Sequence, residues 1–307
     1  KTGWIKPFRV GGYAPFSALS LDLIAIVIFA LLPVKTGLVL SLDRTNWKFG
    51  DVNINILMLG VTYKGVAFPL LFTMLDKRGN SNWKERTRLI DRFIRLFGAE
   101  CIDSLVADRE FVGKQWVEYL NNRRIRYYLR IKQNFWLRNP KSSEDVRAWH
   151  LFHGLRLGQE RVYDKLFLLK GEYVYIAGAM LKNSDGVPEL QILICYNRQE
   201  AAVATYRQRW QIETCFRAMK SSGFNIEDTH LRDIDRIARL TAMVCMALVW
   251  AYLVGEHKDM NVKAVRILKH GKRAKSLVKY GLEEIANVLL RPLYKPKFDI
   301  FKFLSCT

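Results

Sequence analysis

Tyr206, Arg209, Glu213 and Lys220 lie at offsets of 0, 3, 7 and 14 residues. At about 100° per residue they fall within an arc of roughly 60°, spread over about 21 Å of helix. One stripe then carries a phenol, two cations and a carboxylate, a set able to grip a polyanion while offering an oxygen ligand to a hard cation. The plain alternative is a solvated face held by an i, i+4 Arg209–Glu213 pair. However, Ile212, Phe216 and Met219 already supply a packing face, and a solvent-facing stripe has no need of a tyrosine. Two more acids follow apolar runs: Asp43 closes Leu38-Val39-Leu40-Ser41-Leu42, and Asp108 follows Ile102 to Ala107. Singly, each is an ordinary turn former or helix cap; delivered side by side by two strands of one mixed sheet, they can share a metal. Thr45 and Asn46 crowd the first acid, Arg109 and Glu110 the second, and Glu110 is a rival ligand. Oxygen-only donors suit Mg²⁺ or Mn²⁺, and the absence of a Cys/His cluster argues against zinc.

Positioning these groups requires a particular order of elements. Residues 38–43 read as a buried strand that ends on its acid. Residues 55–63 and 66–75 read as two more strands, joined at Lys64-Gly65 where glycine supplies the positive φ of a tight turn. Leu89, Ile90, Phe93, Ile94 and Phe97 have helical spacing and stop at Gly98. A strand over 102–108, a helix over about 113–123 and a strand over 126–131 complete a βββαβαβ order. Four short strands over 149–157, 161–170, 172–181 and 189–196 follow, then helices from about Gln199 to Lys220, from Asp233 to Gly255 and near 282–290. The expected organisation is an N-terminal helical remnant (1–36), a first core part (37–134), a β-strand insertion (135–197), a second core part with the Glu213 helix (198–257) and a basic helical C-terminal segment (258–307).

The composition narrows the class. The chain of 307 residues carries 49 Lys+Arg against 29 Asp+Glu, a formal net charge of +20. With 50% hydrophobic and 12% aromatic residues it is too apolar for a disordered basic tail. The charge calls for a polyanionic partner or an anionic surface. Arg130 and Lys132 lie in a stretch without acids, and Lys272 and Arg273 in a second basic cluster, so these four are expected to contact phosphates. Five scattered cysteines without a C-x-x-C pair exclude a disulfide scaffold or zinc finger and fit a reducing cytoplasm. The apolar run 23–34 is too short to span a bilayer, and 237–254 begins beside Arg239; both read as buried helices, with no membrane partner. The chain opens on Lys1 rather than Met, which leads us to expect a piece of a longer protein.

The Tyr206, Arg209, Glu213 and Lys220 spacing resembles the Y-x2-R-x3-E-x6-K signature of bacterial IS4-family insertion-sequence transposases, complete at all four positions. That resemblance implies an α/β fold, an RNase H-like mixed sheet flanked by helices, with an all-β insertion and a helical C-terminal segment. It makes Asp43, Asp108 and Glu213 the catalytic and metal-binding triad, and implies two Mg²⁺ ions, which Mn²⁺ can replace. Tyr206, Arg209 and Lys220 become DNA contacts. The implied activity is strand cleavage and strand transfer at insertion-sequence ends through a DNA hairpin, by a homodimer on double-stranded DNA in the bacterial cytoplasm. In that family a flipped base stacks on an aromatic of the insert; Trp136, Trp149, Tyr173 and Tyr175 are on offer, and none aligns with the role. Two rivals stand beside this reading: an RNase H-like nuclease without strand transfer, and a domesticated DNA-binding protein without catalysis.

Overall fold

The computed structural model describes residues 20–197, 200–269 and 271–305. Most of the expected N-terminal remnant, residues 1–19, and Gln199 lie outside the described residues. Helix α1 (Leu21–Leu31) is capped by Ser20, whose Oγ accepts from the Leu23 amide. Three long strands follow, β1 (Leu38–Phe49), β2 (Val52–Tyr63) and β3 (Val66–Met74), each antiparallel to the next. Helix α2 (Trp83–Phe97) starts in a reciprocal cap between Asn82 and Glu85 and ends at Gly98, φ +87°. Then come β4 (Ile102–Ala107), α3 (Lys114–Asn122) and β5 (Tyr127–Ile131).

The strand order is 3-2-1-4-5, with β4 parallel to β1 and β5 parallel to β4. The βββαβαβ order is therefore what the chain forms, in a mixed sheet with flanking helices. One expectation about it is corrected. Asp43 does not end its strand: β1 continues six residues further, paired with β2 alone, because β2 is equally long and satisfies its backbone. What ends beside Asp43 is β4, whose register with β1 stops at Leu42↔Ala107.

Past residue 135 the strands are β6 (Trp136–Arg138), β7 (Asp145–Arg147), β8 (Glu160–Val162), β9 (Phe167–Leu169), β10 (Glu172–Lys182) and β11 (Pro188–Cys195). They do not stand apart as a separate unit. β11 pairs antiparallel with β5, so the same sheet continues as 5-11-10-9-6-7, with β8 on β10. Residues 149–152, the start of an expected strand, belong instead to a 3₁₀ turn over Ala148–Phe152 that places Phe152 in the core. An added side chain at Gly178 on β10 would stand 2.6 Å from the Phe152 ring.

Helices α4 (Ala202–Arg207), α5 (Trp210–Lys220), α6 (Ile234–Asn261) and α7 (Leu277–Leu290) complete the fold. Side chains alternate across the sheet. On β4 and β5, Leu105, Ala107, Tyr127 and Leu129 join the main core, whereas Val106 and Tyr128 face a smaller one closed by Ala202, Val203 and Tyr206 of α4. Helix α6 is long and apolar enough to cross a bilayer. Here it is a core helix, with Leu248, Val249, Ala251 and Val254 fully buried. The expected division at residue 257 falls inside α6, because Lys258 bonds Glu284 of α7 at 2.6 Å and His257 packs on Phe298 and Phe303.

Candidate active site

Period-two alternation sends Leu40 and Leu42 into the main core and turns Ser41, Asp43 and Thr45 the other way. That second face of β1 meets the junction of α4 and α5. The junction is no continuous α-helix. Gln208, Arg209, Gln211 and Ile212 donate to carbonyls three residues back, so the chain tightens into a 3₁₀ turn between the two helices. The single stripe expected over Thr205 to Ser221 is thereby split: Tyr206 belongs to α4, Arg209 caps α5, and Glu213 and Lys220 ride on α5.

The split brings the signature residues onto the strand ends. Arg209 reaches Asp43 Oδ2 with one guanidinium nitrogen at 3.5 Å and Glu213 Oε1 with another at 2.6 Å. The Tyr206 hydroxyl donates to Asp108 Oδ1 at 3.4 Å. The Arg209 guanidinium lies 5.9 Å from the Tyr206 ring centre, which links the two contacts into one cluster. Asp108 follows β4, caps a 3₁₀ turn over Arg109–Phe111, and accepts from the Arg109 amide at 2.7 Å. Asp43 accepts similarly from the Arg44 amide at 2.7 Å.

The electrostatics are those of acids crowded in a half-buried place. Burial is the main force on Asp43 and pushes its carboxyl up to about 6, with Glu110 and Glu213 adding to the rise; the Arg44 amide and Arg209 pull against it. Burial lowers Arg209, but Tyr206, Glu213 and Asp108 outweigh it and hold the guanidinium above its ordinary range, so it stays charged. Burial raises the Tyr206 phenol, which keeps its proton and remains a donor.

The raised Asp43 value carries a sign. The native state holds this proton more tightly than the unfolded chain between pH 4 and 6, so stability contributed by the protonated carboxyl is full below about pH 4 and lost as pH rises through about 6. The loss is roughly 3 kcal/mol in a metal-free protein. Asp43→Asn should therefore raise the melting temperature at pH 7.5 and flatten the decline between pH 4 and 7. An unchanged pH profile in the variant would assign the decline to other groups.

The remaining expected residues have other settings. Lys220 pairs with Glu227 at 2.7 Å, reaches the Asn46 carbonyl at 3.4 Å and lies over the Trp47 ring. Arg130 is ion-paired to Glu189 of β11 within the sheet. Lys132 is exposed and lines a groove of about 670 Å³ with Trp136, Arg138, Arg147 and Lys170. There Arg147 stacks 3.8 Å from the Trp136 ring centre. Trp149 and Tyr173 are exposed as well. Lys272 and Arg273 lie well away in sequence and line a different cavity, with Arg273 paired to Asp259 at 3.1 Å. The rival acid Glu110 is engaged with Arg44, and Glu227, the other acid near the Glu213 helix, with Lys220.

Three supporting residues escaped the sequence reading. Arg44 binds Glu110, Asn55 and Asn80, so it braces the strand next to Asp43. Arg86 is buried beneath the same turn, bonds Ser81 and the Glu110 carbonyl, and is lowered to about 10 by burial. Gln208 bonds Thr62 of β2 at 2.8 Å and anchors the α4–α5 turn. Only Arg44 offered a signal, its adjacency to Asp43. A groove of about 370 Å³ opens beside Tyr206 and Arg209, lined also by Lys182, Gln191, Arg207 and Trp210, the last 52% exposed.

Fold and site together define an α/β protein in which one arginine joins an acid of β1 to a helix-borne glutamate, while a tyrosine holds the acid that follows the adjacent parallel strand β4. The chain belongs to the transposase DDE domain family, whose model matches residues 73–250. Asp108 and Glu213 lie within that match and Asp43 lies before it. Among solved structures, the piggyBac transposase synaptic complex with hairpin DNA is similar at a TM-score of 0.47 and 10% identity, covering 88% of this chain and 56% of that one. Argonaute of Kluyveromyces polysporus with a guide RNA is similar at 0.24 and 13% identity, covering 76% and 31%. The chain thus spans little more than half the length of the piggyBac chain. No curated protein matches in sequence.

Proposed function

We propose that this chain is the catalytic core of an IS4-type insertion-sequence transposase, RNase H-like in its sheet, acting on the ends of double-stranded DNA as a homodimer. The observation that carries the reading is the convergence of Tyr206 on Asp108 and of Arg209 on both Asp43 and Glu213. Three acids more than 60 residues apart are gathered by two members of one signature. Family membership and the net charge of +20 add support.

The donor set fits a hard divalent cation: three carboxylates, one of them held half-buried with its proton affinity raised chiefly by that burial. Among the described residues no three acidic, His or Cys side chains stand close enough to hold an ion as they are placed; the Arg209 guanidinium occupies the space between Asp43 and Glu213 as their shared countercharge. Asp43, Asp108 and Glu213 would hold Mg²⁺ or Mn²⁺, which when bound supplies Lewis-acid assistance to phosphoryl transfer. Tyr206 fixes the Asp108 carboxylate. Arg209 holds Glu213 and Asp43 aligned, and on release from either it is positioned to meet a phosphate. Lys220, about two turns beyond Glu213, offers a second phosphate contact at the cost of its pair with Glu227. The Lys182, Arg207 and Trp210 groove beside them accepts the strand.

The test is incubation of purified protein with end-sequence duplex and Mg²⁺, resolving nicked, hairpin and joined products. Hairpins and joined strands support the proposal; hydrolysis alone would favour the nuclease reading. In the same assay Lys220→Ala should weaken end binding by about tenfold at moderate salt, and lessen its salt dependence by about one counterion, while bound complexes still cleave. Unchanged binding would confine Lys220 to its pair with Glu227.

A further inference from the structure

A second cavity, about 640 Å³, opens where the β2–β3 turn, α5, α6 and the start of α7 meet. That volume is typical of small-ligand sites. Lys64, Arg217, Lys272, Arg273 and Lys275 line it, and no Asp or Glu does. Carboxylates stand behind three of these cations: Glu256 at 2.9 Å from Lys64, Asp259 at 3.1 Å from Arg273, and Glu283 at 2.7 Å from Lys275. Arg217, exposed on α5, has no such pair among the described residues. The cavity also receives the first turn of α7, a helix of 14 residues, through Ser276, Leu277 and Val278. First-turn amides lack intrahelical acceptors and carry the positive end of the helix dipole.

A separate observation points to a missing acceptor. Tyr252 of α6 lines the cavity, is 3% exposed, and its hydroxyl makes no hydrogen bond among the described residues. Burial and the nearby Glu256 carboxylate act most strongly on that hydroxyl and favour its protonated, donating form, with Lys64 and Arg273 acting in the opposite sense. Buried hydroxyls are ordinarily satisfied, and an orphan beside a cationic cavity is a donor awaiting an anionic oxygen. Val66, Ile267 and Leu277 give the same cavity an apolar wall.

We propose that this cavity is a ligand site separate from the carboxylate cluster, which seats a phosphate group attached to a flat or apolar body, as a nucleotide presents it. Arg217 and the α7 amides meet the phosphate, the Tyr252 hydroxyl donates to it, and the apolar wall meets the rest. A free nucleotide and a nucleotide within a DNA strand both offer this chemistry. Thr214 and Arg217 reach the cavity from the helix that carries Glu213, so occupancy bears directly on the placement of that acid.

Calorimetric titration of the full chain with 5′-dAMP, deoxyadenosine and a short duplex, at constant ionic strength, tests it. We expect 5′-dAMP to bind at least about tenfold more tightly than deoxyadenosine, Arg217→Gln to weaken it about tenfold, and Tyr252→Phe to weaken it several-fold. Tyr252→Phe removes an unpartnered hydroxyl and keeps the ring, so its melting temperature should hold or rise. If 5′-dAMP fails to bind but both variants weaken the duplex by these factors, the phosphate belongs to a strand. Binding of either probe unmoved by both variants, or no binding of either probe, overturns the proposal.

Discussion

Glu213→Gln is expected to lower Mg²⁺-dependent cleavage of end DNA by about 10³-fold or more, with folding and DNA binding preserved. Glutamine keeps an oxygen that accepts from Arg209 at the place where Glu213 now accepts at 2.6 Å, so the α5 start and the guanidinium bridge to Asp43 persist. What disappears is a negative charge that a hard cation requires and that, uncompensated, repels phosphate. Binding should therefore stay level or tighten slightly. Asp43→Asn and Asp108→Asn should match it in cleavage, whereas Glu110→Gln and Glu227→Gln should cost far less, since those acids are spent on Arg44 and Lys220. Parallel gel-shift and cleavage measurements on one end duplex decide the matter. A Glu213→Gln protein that cleaves at the normal rate would move the third ligand to Glu110 or Glu227 and remove the family correspondence at this position.

The largest stability effect should come from a residue with no role in chemistry. Gly281→Ala is expected to destabilise the protein by about 3 kcal/mol, or roughly 6–12 °C in melting temperature for a chain of this size. Helices α6 and α7 cross on glycine: a side chain added at Gly281 would stand 1.8 Å from the Ala251 carbonyl oxygen, and one at Gly255 would stand 2.0 Å from that of Leu277. Both obstacles are backbone, so neither can rotate aside and the helices must part. Intrinsic propensity argues the opposite, since alanine favours an exposed helix interior by about 1 kcal/mol over glycine, so the sign of the result separates packing from propensity. Parting the helices also strains the buried Glu284, which bonds Lys258 of α6 at 2.6 Å and the Tyr294 hydroxyl at 2.7 Å. Gly113→Ala, with open space around the added carbon, serves as the control and should change stability by about 1 kcal/mol or less. Equal melting temperatures for the Gly281→Ala and parent proteins would mean that α6 and α7 do not approach this closely.

Both predictions depend on how local pattern and distant contact divide the molecule. The order of the first seven elements was legible because each has a local cause: apolar runs bounded by turn residues, the Lys64-Gly65 hairpin, and helical spacing halted at Gly98. The acids were legible too, Asp43 and Asp108 by their place after apolar runs and Glu213 by its spacing from Tyr206, Arg209 and Lys220. Local pattern misjudged the length of β1, since Arg44 to Phe49 are polar enough to read as loop and are held in a strand only by β2. It also took Thr205 to Ser221 as one helix, because nothing in the spacing reports that Gln208 bonds Thr62 and that the turn before α5 tightens. Tyr206 read as a DNA contact, and nothing in its spacing reports that the second core beneath β4 and β5 buries its ring and sets its hydroxyl on Asp108. The insertion read as a unit of its own because the β5–β11 pairing joins residues about 60 apart in sequence. Residue types and spacing thus determined which side chains meet in the candidate site. Only the tertiary structure decided that one arginine ties two of the acids together, that a basic cavity forms behind the same helix, and that two glycines hold its last helices together. Each of those rests on groups whose proximity is set by the path of the whole chain.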